Sequence, residues 1–185
     1  LKDLTARAYL ILSEDFHLPP VKIFLEKTSP VGAGLGGGSS DAAFALKMLN
    51  ELCGLGLSET RLASYAARLG SDCAFFIYNR PMIGEGRGEI LTGYDLKGID
   101  GHPQQSEESL YDLRILTPEG IAVSTKDAYS GIRPHFPEMP LREVLAKPVE
   151  EWDGLLLNDF EETVFAKYPE LAAIKRSLYD CGAVY

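Results

Sequence analysis

Leu4, Ala8 and Leu12 recur every four residues, so the segment 1–13 predicts a helix with one apolar face. Pro19-Pro20 ends it, because proline has no amide hydrogen to give a helix. Residues 21–27 (Val-Lys-Ile-Phe-Leu-Glu-Lys) alternate loosely and predict a strand. A second helix is expected from about Ser40 to Leu52, with Ala43, Leu46, Leu49 and Leu52 facing a core, until Gly54-Leu55-Gly56 breaks it. Ser58 suits the N-cap of a helix over 59–69, with Leu57 as its hydrophobic staple and Gly70 as its C′ glycine. The apolar run 75–78 predicts a short strand; 81–89 is loop-rich, and 89–92 predicts another strand.

Periodicity fails over 97–108, where Gly98, Gly101 and Pro103 are followed by Gln104-Gln105-Ser106-Glu107-Glu108. This places a boundary between a first unit, 1–100, and a second, 108–185. Alternation in 110–116 opens the second unit as a strand. Helical segments are expected over 124–129, 141–146, 152–157, 161–166 and 170–179, with Gly182 ending the last.

Between the first two segments lies Pro30-Val31-Gly32-Ala33-Gly34-Leu35-Gly36-Gly37-Gly38-Ser39-Ser40-Asp41-Ala42-Ala43, with five glycines in seven residues at a helix start. Glycine lets a ligand approach the backbone, and a helix N-terminus offers unpaired amides and positive potential. Together they make a phosphate cradle. The loop is not a Walker A motif, because Ser39-Ser40-Asp41 stands where Gly-Lys-Ser/Thr would be. It is not a dinucleotide fingerprint either, because no acidic residue ends a second strand about 20 residues later.

Composition narrows the picture. The 185 residues can bury a real core, and 45% are hydrophobic. A net charge of −9 argues against a broad nucleic-acid surface. No apolar run reaches membrane-spanning length, and the first residues do not form a signal peptide. Cys53, Cys73 and Cys181 lack metal-ligand spacing and read as reduced, mostly buried thiols of a cytoplasmic protein. His17, His102 and His135 are scattered singly, and Trp152 reads as a packing anchor.

The glycine-rich segment resembles the corresponding motif of the GHMP kinases, the family of galactokinase and the homoserine, mevalonate and phosphomevalonate kinases. Leu69-Gly70-Ser71-Asp72-Cys73-Ala74-Phe75-Phe76 is similar to the family's Leu-Gly-Ala-Asp-Val-Pro-Phe-Phe segment in one branch. In the same branch, Gly84-Glu85-Gly86-Arg87-Gly88-Glu89 resembles a Gly-x-Gly-Glu turn, and Asn158-Asp159-Phe160-Glu161 resembles an Asn-Asp-Leu-Glu element. That branch phosphorylates a cytidylyl methylerythritol in the non-mevalonate route to isoprenoid precursors. The resemblance implies an α+β fold in two units, a ribosomal S5 domain 2-like first unit and an incomplete ferredoxin-like second unit. It also implies ATP and Mg²⁺ and a small-molecule alcohol as substrate. The alternatives are another GHMP kinase, of sugar, homoserine or mevalonate type, and a nucleotide-binding fragment inactive as it stands.

Residue by residue, the resemblance assigns the ATP phosphates to Pro30, Gly32, Gly34, Leu35, Gly36, Gly37, Gly38, Ser39 and Ser40. Asp72 matches the proposed base that takes the substrate hydroxyl's proton; read locally, it equally suits an aspartate capping its own turn. Asp41, in the expected first helical turn, complements the helix dipole and has no catalytic role. Lys27 matches a cation near the nucleotide, with a surface lysine of no role as the other reading. Tyr129 matches an aromatic that stacks on cytosine, with a packing role as the other reading. The family's N-terminal catalytic Lys, its Asp-Gly-Tyr-His segment and its C-terminal Gly-Ser-Gly-Ser loop have no counterpart here. The chain therefore reads as the middle of a kinase of ordinary family size.

Overall fold

Helix α1 (Leu4–Ser13) starts where Asp3 accepts a hydrogen bond from the Ala6 amide, which caps the helix. Its apolar face turns inward: Ala8 and Leu12 are fully buried. The computed structural model describes residues 3–28, 34–86, 88–94 and 112–185, without the side chains of residues 125 and 126. Two units divide the chain, Leu1–Asp95 and Leu96–Tyr185. The expected boundary at 97–108 lies outside the described residues, as do Leu110 and Tyr111 of the expected strand that follows it.

In the first unit, α2 (Gly37–Leu52) begins three residues earlier than expected, inside the glycine run. Ala42, Ala43, Leu46 and Leu49 are buried, at helical spacing on one face. Leu52, expected to face the core, is 72% exposed, because it falls one turn beyond the region that α1 and α3 cover. Helix α3 (Glu59–Leu69) is capped by Ser58, whose hydroxyl accepts from the Arg61 amide at 3.3 Å. It buries Leu62, Tyr65 and Ala66 against the same core. The Tyr65 hydroxyl, at the edge of that core, donates to the Asp15 carboxylate.

Residues 75–78 are not a strand but part of a helix, α4 (Cys73–Tyr78). Cys73, Ala74 and Ile77 are its buried positions, a one- and four-residue spacing that only a helix places on one side. A short apolar run cannot reveal that choice by itself, since it suits either element. Gly70 before it has an extended φ of −179°, not the left-handed C′ conformation expected. Space accounts for its being glycine: a Cβ there would stand 3.2 Å from Cys73 Sγ.

Strands β1 (Met82–Glu85) and β2 (Ile90–Gly93) form an antiparallel hairpin in register Met82 to Gly93 and Glu85 to Ile90. The expectation at 89–92 is close to β2, whereas β1 lies in the stretch read as loop. Residues 21–28 form no strand; among the described residues β1 and β2 pair only with each other. An alternating segment without a partner strand has no ladder to join, and Phe24 is left exposed.

The second unit contains α5 (Thr125–Ser130), α6 (Leu141–Leu145), a 3₁₀ turn (Val149–Glu151), α7 (Phe160–Lys167) and α8 (Pro169–Asp180). Ser124 caps α5 by accepting from the Asp127 amide at 3.0 Å. Residues 112–116, the described part of the strand expected over 110–116, form no strand. The helix expected over 152–157 is a series of turns, because Gly154 takes a φ of +76° that a right-handed helix cannot hold. Trp152 anchors that stretch: its indole NH donates to the Lys147 carbonyl and its ring meets Tyr185 edge-on at 5.7 Å.

The burial pattern separates two leucines of α2. Leu46→Ala is expected to lower the unfolding free energy of the first unit by about 2–5 kcal/mol. Leu52→Ala is expected to change it by less than about 0.5 kcal/mol. Urea denaturation followed by circular dichroism checks both.

Candidate active site

The amino end of α2 is built from glycine. Gly36, its N-cap, takes a φ of +69°, and Gly34 takes +74°. Both values lie in the left-handed region that a Cβ disfavours. The first regular bond of the helix is donated by Ser40 to the Gly36 carbonyl at 2.9 Å. The amides of Gly37, Gly38 and Ser39 precede it, no side chain caps this end, and the first turn carries no acidic residue. An anion placed there meets amide hydrogens and the positive end of the dipole, with no carboxylate of the helix's own first turn against it. Asp41, expected in the first turn, falls in the second and binds Lys27 at 2.7 Å. Pro30 and Gly32 of the motif lie outside the described residues, while Leu35 is exposed beside Gly34.

Helix α4 brings Asp72 to this end. A Cβ on Gly36 would stand 2.9 Å from the Phe76 ring, so the glycine turn rests directly on α4. The Ser39 hydroxyl acts on the Cys73 thiol, next in sequence to Asp72, in the direction that favours its charged form. Burial pushes that thiol up; Ser39 and the Arg7 guanidinium work against the shift, and Asp72 adds to it. Asp72 is exposed and makes no capping hydrogen bond with its side chain, although it is the N-cap of α4. It sits at a helix-to-helix junction rather than the helix-to-strand junction expected. The hairpin turn closes the other side: a Cβ on Gly88 would lie 3.9 Å from Asp72 Oδ1. Uncapped helix amides, a serine hydroxyl and a carboxylate with no hydrogen bond among the described residues therefore share one edge of the first unit.

Arg7 was not singled out from the sequence. It lies on α1, half-buried, and acts electrostatically on Cys73. Its place beside the glycine turn depends on how α1 crosses α2, for which a single arginine in a helical pattern carries no signal. Tyr129 belongs to the second unit and is 63% exposed, with its ring edge-to-face with Phe160. Cys181 is exposed, against the expectation of mostly buried thiols; Cys53 is half-buried and Cys73 buried, and all three are free. His135 hydrogen-bonds only the Arg133 carbonyl; His102 lies outside the described residues. Among the described residues no group of three or more His, Cys, Asp or Glu could hold a metal ion, and no helix is long and apolar enough to cross a membrane.

Residues 3–80 match the GHMP kinases N terminal domain. A Bacteroides fragilis protein named 4-diphosphocytidyl-2-C-methyl-D-erythritol kinase is 48% identical over 183 residues, covering 99% of this chain and 63% of the relative. A protein of the same name from Parabacteroides distasonis is 41% identical over 184 residues, covering 100% of this chain and 64% of its own length. A crystal structure of 4-(cytidine 5'-diphospho)-2C-methyl-D-erythritol kinase has a TM-score of 0.68 at 28% identity, covering 98% of this chain and 63% of that one. The chain thus spans a little under two thirds of the length of these relatives.

The two left-handed glycines differ in their surroundings, and their substitutions should differ accordingly. Gly34→Ala meets nothing within 4 Å and should cost only the backbone strain, about 1–2 kcal/mol. Gly36→Ala adds a collision with Phe76 and should lower the melting temperature further than Gly34→Ala does. A thiol reagent at neutral pH should label Cys181 first, Cys53 more slowly and Cys73 only on unfolding, as mass spectrometry of the labelled peptides would record. Because folding favours the neutral Cys73 thiol, its contribution to stability is present below the ordinary value of 9.0 and is lost as pH rises through the folded value.

Proposed function

The chain belongs to the GHMP kinase family, and from that premise we propose that it carries the nucleotide-binding and proton-accepting part of an ATP-dependent kinase. Its proposed substrate is 4-diphosphocytidyl-2-C-methyl-D-erythritol, the compound in the names of its relatives, and the product is the phosphate ester of one hydroxyl. The observation that carries this reading is the meeting of the uncapped α2 amides with the exposed Asp72 carboxylate at one edge. The extent of the relatives' identity, nearly end to end along this chain, supports the substrate class. A cytoplasmic location accords with that substrate.

In this reading the amides of Gly37, Gly38 and Ser39 hold ATP phosphate oxygens, with Gly34 and Gly36 keeping side chains out of the way. Pro30, Gly32 and Leu35 complete the loop around the nucleotide, and Lys27, held by Asp41, adds a nearby cation. Asp72 accepts the proton of the substrate hydroxyl as its oxygen bonds to the terminal phosphorus. The bond from that phosphorus to the ADP oxygen breaks, and ADP leaves. Positioning and charge neutralisation dominate such a transfer, so a rigid loop beside a base is the part that protein atoms must supply. The donor set suits Mg²⁺ that arrives with nucleotide phosphates rather than one held in a protein cage: hydroxyls of Ser39 and Ser40 stand at the loop, and no multi-carboxylate cluster is present among the described residues. When bound, Mg²⁺ would neutralise phosphate charge there. Tyr129 offers an open ring to stack on the cytosine of the substrate.

Asp72→Asn should lower kcat by about 10²-fold or more while leaving KM for ATP unchanged, since it removes the proton acceptor and keeps the shape. The assay is steady-state phosphoryl transfer in the protein at the full length of its relatives. Competition by CDP distinguishes this substrate from sugar, homoserine or mevalonate acceptors. ATP binding without turnover in the full-length protein would point to a nucleotide-binding module instead.

A further inference from the structure

Helix α5 is only six residues long, too short to persist without tertiary support. Its support comes from one face of α7. Lys167 Nζ binds Asp127 Oδ2 at 2.7 Å, and the Phe160 ring meets the Tyr129 ring with centroids 4.9 Å apart and planes at 77°. A Cβ on Gly131 would stand 2.8 Å from the Thr163 methyl and closer still to its hydroxyl, so the chain leaving α5 presses directly on α7. The next residue after α7 contributes too: the Tyr168 hydroxyl donates to the Ala122 carbonyl at 3.0 Å, just before α5. Phe160, Thr163 and Lys167 follow one another at three- and four-residue steps, which places them on one stripe of the helix.

Within this arrangement one ion pair is made by α5 itself, two contacts hold the chain just before and after it, and one holds the Tyr129 ring. An edge-to-face contact occupies at most one face of that ring, and Tyr129 remains 63% exposed. Leucine, the residue at this place in the related Asn-Asp-Leu-Glu element, has no ring edge or face to set the tilt of an aromatic neighbour. We propose that Phe160 is a positioning residue for Tyr129: it fixes the tilt of the tyrosine ring so that a free face is presented to the cytosine of the substrate. Phe160 thereby tunes affinity for the cytidine end of the substrate. This inference rests on the reading of Tyr129 as the base-stacking ring.

The test is steady-state kinetics of the full-length protein with the cytidylyl substrate and ATP varied separately. Phe160→Leu should raise KM for the cytidylyl substrate about two- to tenfold, the scale of one aromatic pair, with kcat and KM for ATP unchanged. Phe160→Tyr, which keeps the ring, should behave as the parent protein does. Phe160→Leu in a Tyr129→Ala background should add no further rise. An unchanged substrate KM in Phe160→Leu, with a raised one in Tyr129→Ala, would overturn the positioning role and leave the stacking intact. Additive effects in the double variant, or equal losses in kcat and both KM values, would overturn it as well. If Tyr129→Ala itself leaves the substrate KM unchanged, the stacking reading of Tyr129 fails instead, and the role of Phe160 with it. Should Phe160→Leu fail to fold, Phe160→Met carries the same expectation, because it fills a similar volume without a ring.

Discussion

The contact of Gly36 with the Phe76 ring is the constraint on which the candidate site depends. It allows no side chain at the helix N-cap, so the turn must be glycine for space as well as for its positive φ. Because the turn rests on α4, the amides at the start of α2 are held beside the residue that opens α4, which is Asp72. The amides that open α2 and the Asp72 carboxylate are thus placed by packing between helices rather than by a long loop. A site carried on packed helices holds its geometry better than one carried on a loop.

That packing is possible because the helices that meet there are lined with small residues. Ala8, Ala42, Ala43, Ala66 and Ala74 are all buried in the first unit, among larger side chains such as Leu12, Leu46, Tyr65 and Ile77. Alternation of small and large groups lets helices approach closely and still fill the space between them. The second unit works differently. It has fewer buried side chains among the described residues, Val144 being one, and its short helices are joined by specific contacts: the Lys167–Asp127 pair, the Lys175–Glu161 pair and the Trp152–Tyr185 rings. Exposed ion pairs of this kind contribute little each, so the aromatic and backbone contacts carry more of the order there.

What could be read in advance followed the strength of the local signal. Helices α1, α3 and α8 have amphipathic spacing over at least two turns or a strong cap, and their positions were expected to within a few residues. Ser58 was expected as an N-cap because a hydroxyl before a helical run satisfies orphan amides, and Ser124 caps α5 in the same way. The run Phe75-Phe76-Ile77-Tyr78 misled because four apolar residues suit either a strand or a buried helix, and tertiary burial of Cys73 and Ile77 decided it. The stretch 21–28 misled in another way: a strand pattern states a capacity to pair, and no described strand lies beside it.

By itself the sequence determined that a glycine-lined turn opens a helix, because only glycine tolerates that backbone and that crowding. It also singled out Asp72, Ser39 and Tyr129 as groups with the chemistry for proton transfer, phosphate contact and base stacking. Tertiary structure decided which of them meet. Asp72 lies more than thirty residues from the glycine turn along the chain, and only the close approach of α2 and α4 puts the two at one edge. The same is true of Arg7 beside Cys73 and of Phe160 against Tyr129. Local sequence specifies backbone conformation through sterics and capping, whereas these juxtapositions arise from burial of apolar faces that are far apart in the chain.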